Sequence, residues 1–245
     1  MTDFEGQTVV VVGGASGIGA AAAALLAARG AAVVCLDRDG AAADAVAGKI
    51  GGLGLAADVT DPASVRAAFD QAAERFGQLH GVINSAGVQG PLGKPSHEVD
   101  LDDFDATYRV NLRGALVVSQ VAVRHMLPHR YGRIAHVASI AGKEGNPGMV
   151  AYSATKAGLI GMVKAQGKEY AESGITVNAL APAVIQTDFV ASQPPEVVAY
   201  MTEKIPMRRT GTVEEVAAML AFMVSRACSF TTGFTFDASG GRAVY

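Results

Sequence analysis

The sequence predicts an α/β domain built on a doubly wound, seven-stranded parallel sheet with helices on both faces. Three observations predict it. Short valine- and isoleucine-rich runs alternate with longer Ala/Leu-rich stretches of helical period along the whole chain. The first two runs are apolar at nearly every position rather than at every second one, which suits strands covered on both faces. A glycine turn joins the first run to the first helical stretch, in "VVVVGGASGIGAAAAALLAARG".

Taken in order, the strands are expected at Thr8–Val12, Ala32–Asp37, Gly54–Ala57, Gly81–Asn84, Arg133–Ser139, Ile175–Leu180 and Phe234–Asp237. The helices between them are expected at Ile18–Arg29, Ala41–Ile50, Pro62–Phe76, Phe104–Leu127, Tyr152–Glu172 and Val213–Ser225. Such alternation implies right-handed βαβ units. No internal repeat or linker interrupts it, so 1–245 reads as one domain, and 245 residues, half of them apolar, suffice for its core. Segment 189–210, "FVASQPPEVVAYMTEKIPMRRT", stands apart: two consecutive prolines and Pro206 break it from the sheet, and it reads as a surface loop or substrate lid.

Composition excludes several classes. The net charge is −3, with no Lys/Arg cluster of the kind that grips a duplex, so no nucleic-acid partner is expected. The apolar runs fall short of a membrane span and the first residues carry no basic n-region; no membrane association and a cytoplasmic location are expected. Cys35 and Cys228 lie far apart and fit structural thiols in a reducing compartment. His80, His97, His125, His129 and His136 sit mostly on unrelated segments, with His136 in a strand read as buried; no metal site is expected.

The glycine turn carries Gly13, Gly14, Gly17 and Gly19. Glycines permit a tight turn and close approach to a pyrophosphate, at a helix N-terminus with free N–H groups; Ser16 could add a hydroxyl. An ordinary βα turn would look similar. What separates the two is Asp37, eighteen residues after Gly19 at the end of the next strand. A carboxylate there can bond the adenosine ribose hydroxyls and repel a 2′-phosphate, which favours NAD over NADP. Arg38 leaves three options: stacking on adenine, attracting a 2′-phosphate, or standing in solvent. Asp58 follows the third strand, where such a sheet meets the adenine; alone it would read as a cap for the helix near Pro62.

Tyr152 and Lys156, in "YSATK", are four residues apart at the start of a helix and project from one face. A nearby cation favours the phenolate, and together with the positive ring of an oxidised nicotinamide would make the phenol a general base near neutrality. Ser139, read as the end of the fifth strand, can hold a substrate oxygen beside it. A surface Tyr–Lys pair is common, but not together with a strand-end serine, a glycine turn and Asp37.

Over nearly its whole length the chain resembles the short-chain dehydrogenase/reductase family, a Rossmann-fold family. The matching stretches are "GGASGIG" at 13–19, "NSAG" at 84–87, Asn111 in "RVNLRG", Ser139, "YSATK" at 152–156 and "APAVIQT" at 181–187. The resemblance implies a catalytic set of Asn111, Ser139, Tyr152 and Lys156. Lys156 would also hold the nicotinamide ribose, and Asn111 would fix a water in a relay toward Lys156. It implies cofactor contacts from Gly13, Ser16, Gly17, Ile18, Gly19, Asp37, Arg38, Asp58, Val59, Asn84, Ala86, Gly87, Tyr152, Lys156, Pro182, Ile185 and Thr187, with Val184 on the nicotinamide side. Three positions depart from the family pattern: Val12, Ser85 and Ala183 stand where Thr, Asn and Gly are usual. None removes a chemical group from the catalytic set.

The expected reaction is NAD(H)-dependent hydride transfer between a secondary alcohol and a ketone on a small polar substrate. "AGKEGNPGMVAY" and "DASGGRAVY" resemble the members that oxidise 2-keto-3-deoxy sugar acids. The next resemblance is to 3-oxoacyl-ACP reductases, through "GNPG" and Arg130; there a second basic residue usual for carrier docking is replaced by Ser173. A dinucleotide-binding protein without catalysis is the alternative of another class. The pocket is expected from Gln89, Lys143, Glu144, Asn146, Met149 and Gln186, with Lys143 or Arg242, the latter from a neighbouring subunit, as the cation for a substrate carboxylate. Lys143 and Glu144 could instead point into solvent. Apolar and small residues around the 104–127 and 152–172 helices, including Ala157, Gly158, Gly161 and Ala165, point to a homotetramer.

Overall fold

The computed structural model describes residues 3–187, 190, 198–199, 202–243 and 245. Seven strands form one parallel sheet: β1 (Thr8–Val12), β2 (Ala32–Asp37), β3 (Leu53–Ala56), β4 (Gly81–Asn84), β5 (Gly132–Val137), β6 (Ile175–Pro182) and β9 (Thr235–Ala238), in the order β3-β2-β1-β4-β5-β6-β9. A separate parallel pair joins β7 (Ile185–Gln186) to β8 (Gly211–Thr212).

Alternation along β1 explains why both faces are covered. Val10 and Val12 point into one core with Val65 and Phe69 of α3 (Pro62–Phe76), Val118 and Ala122 of α5 (Ala115–Met126), and Leu159 and Val163 of α7 (Val150–Glu169). Val9 and Val11 point into the other, with Ala22, Ala23 and Leu26 of α1 (Gly17–Ala28), Ala43 and Ala47 of α2 (Gly40–Lys49), and Val216 and Leu220 of α8 (Val213–Val224). Every residue of β1 is buried, so the run without alternation is a strand between two helical layers. The helices start where capping chemistry allows. Asp39 accepts from the Ala42 N–H, Asp61 caps α3 with Pro62 in its first turn, and Thr212 and Glu215 form a capping box.

Several expectations need correction. The helix expected as one piece over 104–127 is α4 (Leu101–Tyr108), a π turn over Arg109–Gly114, and α5. A short helix, α6 (Ile140–Glu144), follows β5, so Ser139 does not end the strand but caps this helix, accepting from the Ala141 N–H at 3.1 Å. Gly142 lets α6 lie on α7: a Cβ there would sit 2.8 Å from the Ala157 nitrogen. Asp58 is not the cap of α3; its Oδ1 accepts from the N–H and hydroxyl of Thr60 instead. Of the lid expected at 189–210, residues 189, 191–197, 200 and 201 lie outside the described residues. Its described end contains Ile205, buried, and Met207, exposed.

Candidate active site

The strand order reverses between β1 and β4, and the loops after the C-terminal strand ends surround the crevice this opens. The glycine turn lies at its floor. Gly13 has φ +75°, and a Cβ on it would sit 2.7 Å from the Ala86 nitrogen. A Cβ on Gly19 would run into the Gly13 carbonyl. Gly17, at φ +49°, faces open space apart from the Thr187 methyl. Exposed Ser16 is the N-cap of α1, and its side chain makes no capping bond, which leaves the first N–H groups of the helix for an external acceptor. Asp37 closes β2 with its carboxylate fixed by N–H groups of Ala15, at 3.3 Å, and Asp39, at 3.2 Å. This arrangement fits a dinucleotide: an anion cradle at a helix start, beside an oriented carboxylate. Arg38 is exposed, near enough to Asp58 to join the Thr60 bonds in holding that carboxyl below its usual range.

Ser85, one of the three departures from the pattern that the resemblance implies, binds the crevice walls together. Its hydroxyl reaches the carbonyls of Val12 (2.9 Å) and Gly13 (3.1 Å). Asn84, beside it, is 3% exposed; its Oδ1 accepts from the Ala86 N–H at 3.3 Å and its Nδ2 lies 3.2 Å from His136 Nδ1. His136 Nε2 lies 2.9 Å from Ser119 Oγ. Because the Asn84 amide nitrogen can only donate, Nδ1 accepts and the proton sits on Nε2. Burial, with Lys156 adding to it, pushes His136 down to about 3, so the ring is a neutral spacer. Val59 packs on Gly114 just behind.

Asn111 lies in the π turn and is 1% exposed. Its Oδ1 accepts from the Val88 N–H and its Nδ2 donates to the Val88 carbonyl, both at 2.8 Å, and to Thr155 Oγ1 at 3.2 Å. Thr155 in turn donates to the Tyr152 carbonyl at 2.9 Å. A single turn of π geometry is what aims a helix asparagine at the β4 loop and at α7 together. Thr155, not singled out in the sequence, joins Asn111 to the Tyr152 backbone; its place three residues after Tyr152 is the local signal for it. A Cβ on Gly87 would stand 3.3 Å from Asn111 Oδ1 and 3.4 Å from Lys156 Nζ, so a side chain there would crowd the asparagine amide and touch the ammonium.

The Lys156 ammonium is buried, donates to the Val137 carbonyl at 2.7 Å and lies 5.7 Å from the centre of the Tyr152 ring. Burial pushes it down to about 8. The expected depression of Tyr152 by this cation is not present. Burial raises the phenol, and the Ser139 hydroxyl pulls against that. A desolvated phenol is harder to ionise than the pairing with lysine suggested. The remaining positions expected on the nicotinamide side line up after β6: Pro182 ends it, Ile185 is buried in β7, and Thr187 accepts from the Val190 N–H at 3.5 Å.

The substrate positions divide. Asn146 and Met149 lie on the loop between α6 and α7, and Gln89 is exposed on the loop after β4. Gln186 accepts from the Thr210 hydroxyl at 3.1 Å. Lys143 does not stand in solvent: its ammonium pairs with Asp237 at 3.3 Å and lies 5.0 Å from the centre of the Tyr245 ring. Glu144 and Arg242 pair with each other within the chain at 2.8 Å. Both cations expected for a substrate carboxylate are therefore engaged. Among the described residues no group of three or more His, Cys, Asp or Glu side chains could hold a metal ion, and no helix is long and apolar enough to cross a membrane.

A family model described as enoyl-(acyl carrier protein) reductase matches residues 13–243. The chain is 44% identical over 243 residues to 2-dehydro-3-deoxy-L-rhamnonate dehydrogenase (NAD(+)) of Sphingomonas sp. (strain SKA58), covering 99% of this chain and 97% of that protein. It is 36% identical to the 3-oxoacyl-(acyl-carrier-protein) reductase FabG of Escherichia coli (strain K12), covering 98% of each. Among solved structures, NAD+-bound xylitol dehydrogenase superposes with a TM-score of 0.91 at 31% identity, over 97% of this chain and 99% of that one. With a family model matched over residues 13–243 and relatives at 44% and 36% identity along nearly its whole length, the chain belongs to the short-chain dehydrogenase/reductase family of oxidoreductases.

Proposed function

We propose that this protein is an NAD(H)-dependent dehydrogenase of a small polyhydroxylated acid, of the 2-keto-3-deoxy sugar acid class. The observation that carries the cofactor choice is the Asp37 carboxylate, fixed by two backbone N–H groups at the mouth of the glycine turn. A 2′-phosphate would meet that charge, whereas ribose hydroxyls would donate to it. NAD, when bound, takes up or returns the hydride. Of the similar proteins, one is named for a 2-dehydro-3-deoxy sugar acid and NAD(+).

The chain's own groups handle the proton. The Ser139 hydroxyl holds the substrate oxygen against Tyr152. In oxidation the Tyr152 phenolate takes the alcohol proton as the carbon loses hydride; in reduction the phenol returns it. Because burial raises the phenol, its ionisation depends on positive charge close by, which the Lys156 ammonium supplies below its own pKa of about 8. Asn111 and Thr155 hold α7 against the β4 loop, so that Lys156 and Gly87 keep their spacing.

Carrier-protein docking has less support. Arg130, the basic residue available for it, donates to the Glu172 carbonyl at 2.9 Å, and Ser173 occupies the second position. The protein is further proposed to be cytoplasmic and homotetrameric: Tyr108, Leu116, Leu127 and Val150, on or beside the α4–α5 and α7 helices, are exposed in the single chain. Mixing it with NAD and a panel of polyols and hydroxy acids at alkaline pH tests the assignment. Reduction of NAD by a member of the panel is expected; tight NAD binding without turnover across it would favour a binding protein.

A further inference from the structure

The loop between α6 and α7 has little to fix it from within. It runs "EGNPG" over 144–148, with Gly145 at φ +71° and Gly148 at φ +74°, yet it connects Ser139's helix to Tyr152's helix. Three outside contacts hold it. The Gly93 N–H donates to the Gly148 carbonyl at 2.9 Å. The Asn146 N–H donates to Ser153 Oγ, next to Tyr152, at 3.1 Å. The third contact is Arg242, whose Nε donates to Glu144 at 2.9 Å and whose Nη2 donates to Asn146 Oδ1 at 3.0 Å. The Arg242 side chain is only 8% exposed and that of Glu144 28%, so these are charge-assisted bonds with the guanidinium end shielded from solvent.

The segment that carries Arg242 is itself keyed to α6. Asp237 accepts from Lys143 with one oxygen and from the Ser239 N–H with the other, and Ser239 Oγ accepts from the Ala243 N–H. The Tyr245 hydroxyl donates to the Lys143 carbonyl. Adjacent residues of opposite sign, Lys143 and Glu144, thus meet Asp237 and Arg242 in matched order. A one-residue slip would bring like charges together.

We propose that β9, residues 239–243 and Tyr245 form a latch on the 144–149 loop, with Arg242 as its positioning residue. It sets substrate affinity by holding the loop beside Tyr152, without touching the substrate. The substrate readout rests on the proposed dehydrogenase function; the structural readout does not. The test compares the full chain with Arg242→Ala, Arg242→Lys, Glu144→Gln and the Arg242→Ala/Glu144→Gln double variant. Amide hydrogen exchange over 145–149 is followed, together with NAD affinity, kcat and KM for a substrate that the wild type turns over. Losing charge-assisted bonds of this kind should raise exchange and KM roughly 10-fold or more in Arg242→Ala. kcat and NAD affinity should stay within about 3-fold, since Arg242 meets neither the cofactor cradle nor the reacting groups. Arg242→Lys should recover part of the effect, and the double variant should be no worse than Arg242→Ala. Unchanged exchange over 145–149 in Arg242→Ala overturns the latch. If KM rises with that exchange unchanged, Arg242 is a substrate ligand, which also overturns it. Raised exchange throughout the chain, rather than in this loop, would show a general stability effect and overturn it too. If no substrate is found, the dehydrogenase assignment fails while the exchange data still decide the latch.

Discussion

Lys156→Met should make the cofactor-free protein more stable while abolishing its activity. The ammonium is 4% exposed, and burial takes it from its ordinary 10.5 to about 8. At about 1.4 kcal/mol per tenfold, that difference is a penalty of about 3 kcal/mol on folding with the charge in place. Methionine fills a similar volume without it, but loses the bond to the Val137 carbonyl, a loss of about 1 kcal/mol. The net gain at neutral pH is about 2 kcal/mol, or roughly 4–8 °C in Tm for a chain of this size. The gain has a defined pH dependence. Between about 8 and 10.5 the unfolded lysine holds more protons than the folded one, so wild-type stability rises with pH through that window. The variant has no such slope. Its advantage should be full below pH 8 and fade toward pH 10.5. Calorimetry on both proteins at neutral and alkaline pH, without cofactor and at equal concentration, measures this. A variant that is less stable at neutral pH, or a difference that does not change with pH, would refute the reasoning.

Tyr152→Phe should lower turnover by roughly 10²–10⁴ while NAD affinity stays near wild type, measured at saturating NAD; substantial residual activity would remove Tyr152 from its role. Asp37→Ala should weaken NAD binding and narrow the kcat/KM gap to NADP, and a wild type that prefers NADP would contradict the reading of that carboxylate. His136 should stay neutral far below the ordinary histidine range, because burial holds it near 3, and NMR of the ring nitrogens in mildly acidic buffer should show protonation on Nε2 alone. Light scattering at micromolar concentration should give the mass of a tetramer.

Much of the fold was legible because its signals are local. β1, β2 and β4 have the limits that the apolar runs imply, and α3 has the span expected from Pro62 to Phe76, though its cap is Asp61. What was missed depends on contacts distant in sequence. "RVNLRG" carries no helix breaker ahead of Gly114, so nothing in its period betrays the π turn; Asn111 bonding to Val88 and Thr155 accompanies it. α6 is five residues long with a glycine inside, below what helical periodicity can register. The site shows the same division. The glycine turn and Asp37 are one helix and one strand apart, and Tyr152 and Lys156 one helical turn apart, so within each pair sequence distance translates directly into geometry. The state of Tyr152 does not follow from spacing. Proximity to Lys156 suggested a lowered pKa, but burial raises it, and burial is a property of the packed core. The roles of Lys143 and Arg242 were hidden for a related reason: their partners Asp237 and Glu144 lie 94 and 98 residues away.

The measurement that bears most directly on the central claim is a set of parallel kinetics on one preparation. Oxidation of 2-keto-3-deoxy sugar acids with NAD would be compared with reduction of a β-ketoacyl thioester using NADH and NADPH. The account predicts efficient NAD-dependent oxidation of a sugar acid, with weak thioester reduction by either cofactor. Efficient NADPH-dependent thioester reduction, with no sugar-acid oxidation, would contradict both the reading of Asp37 and the proposed substrate class.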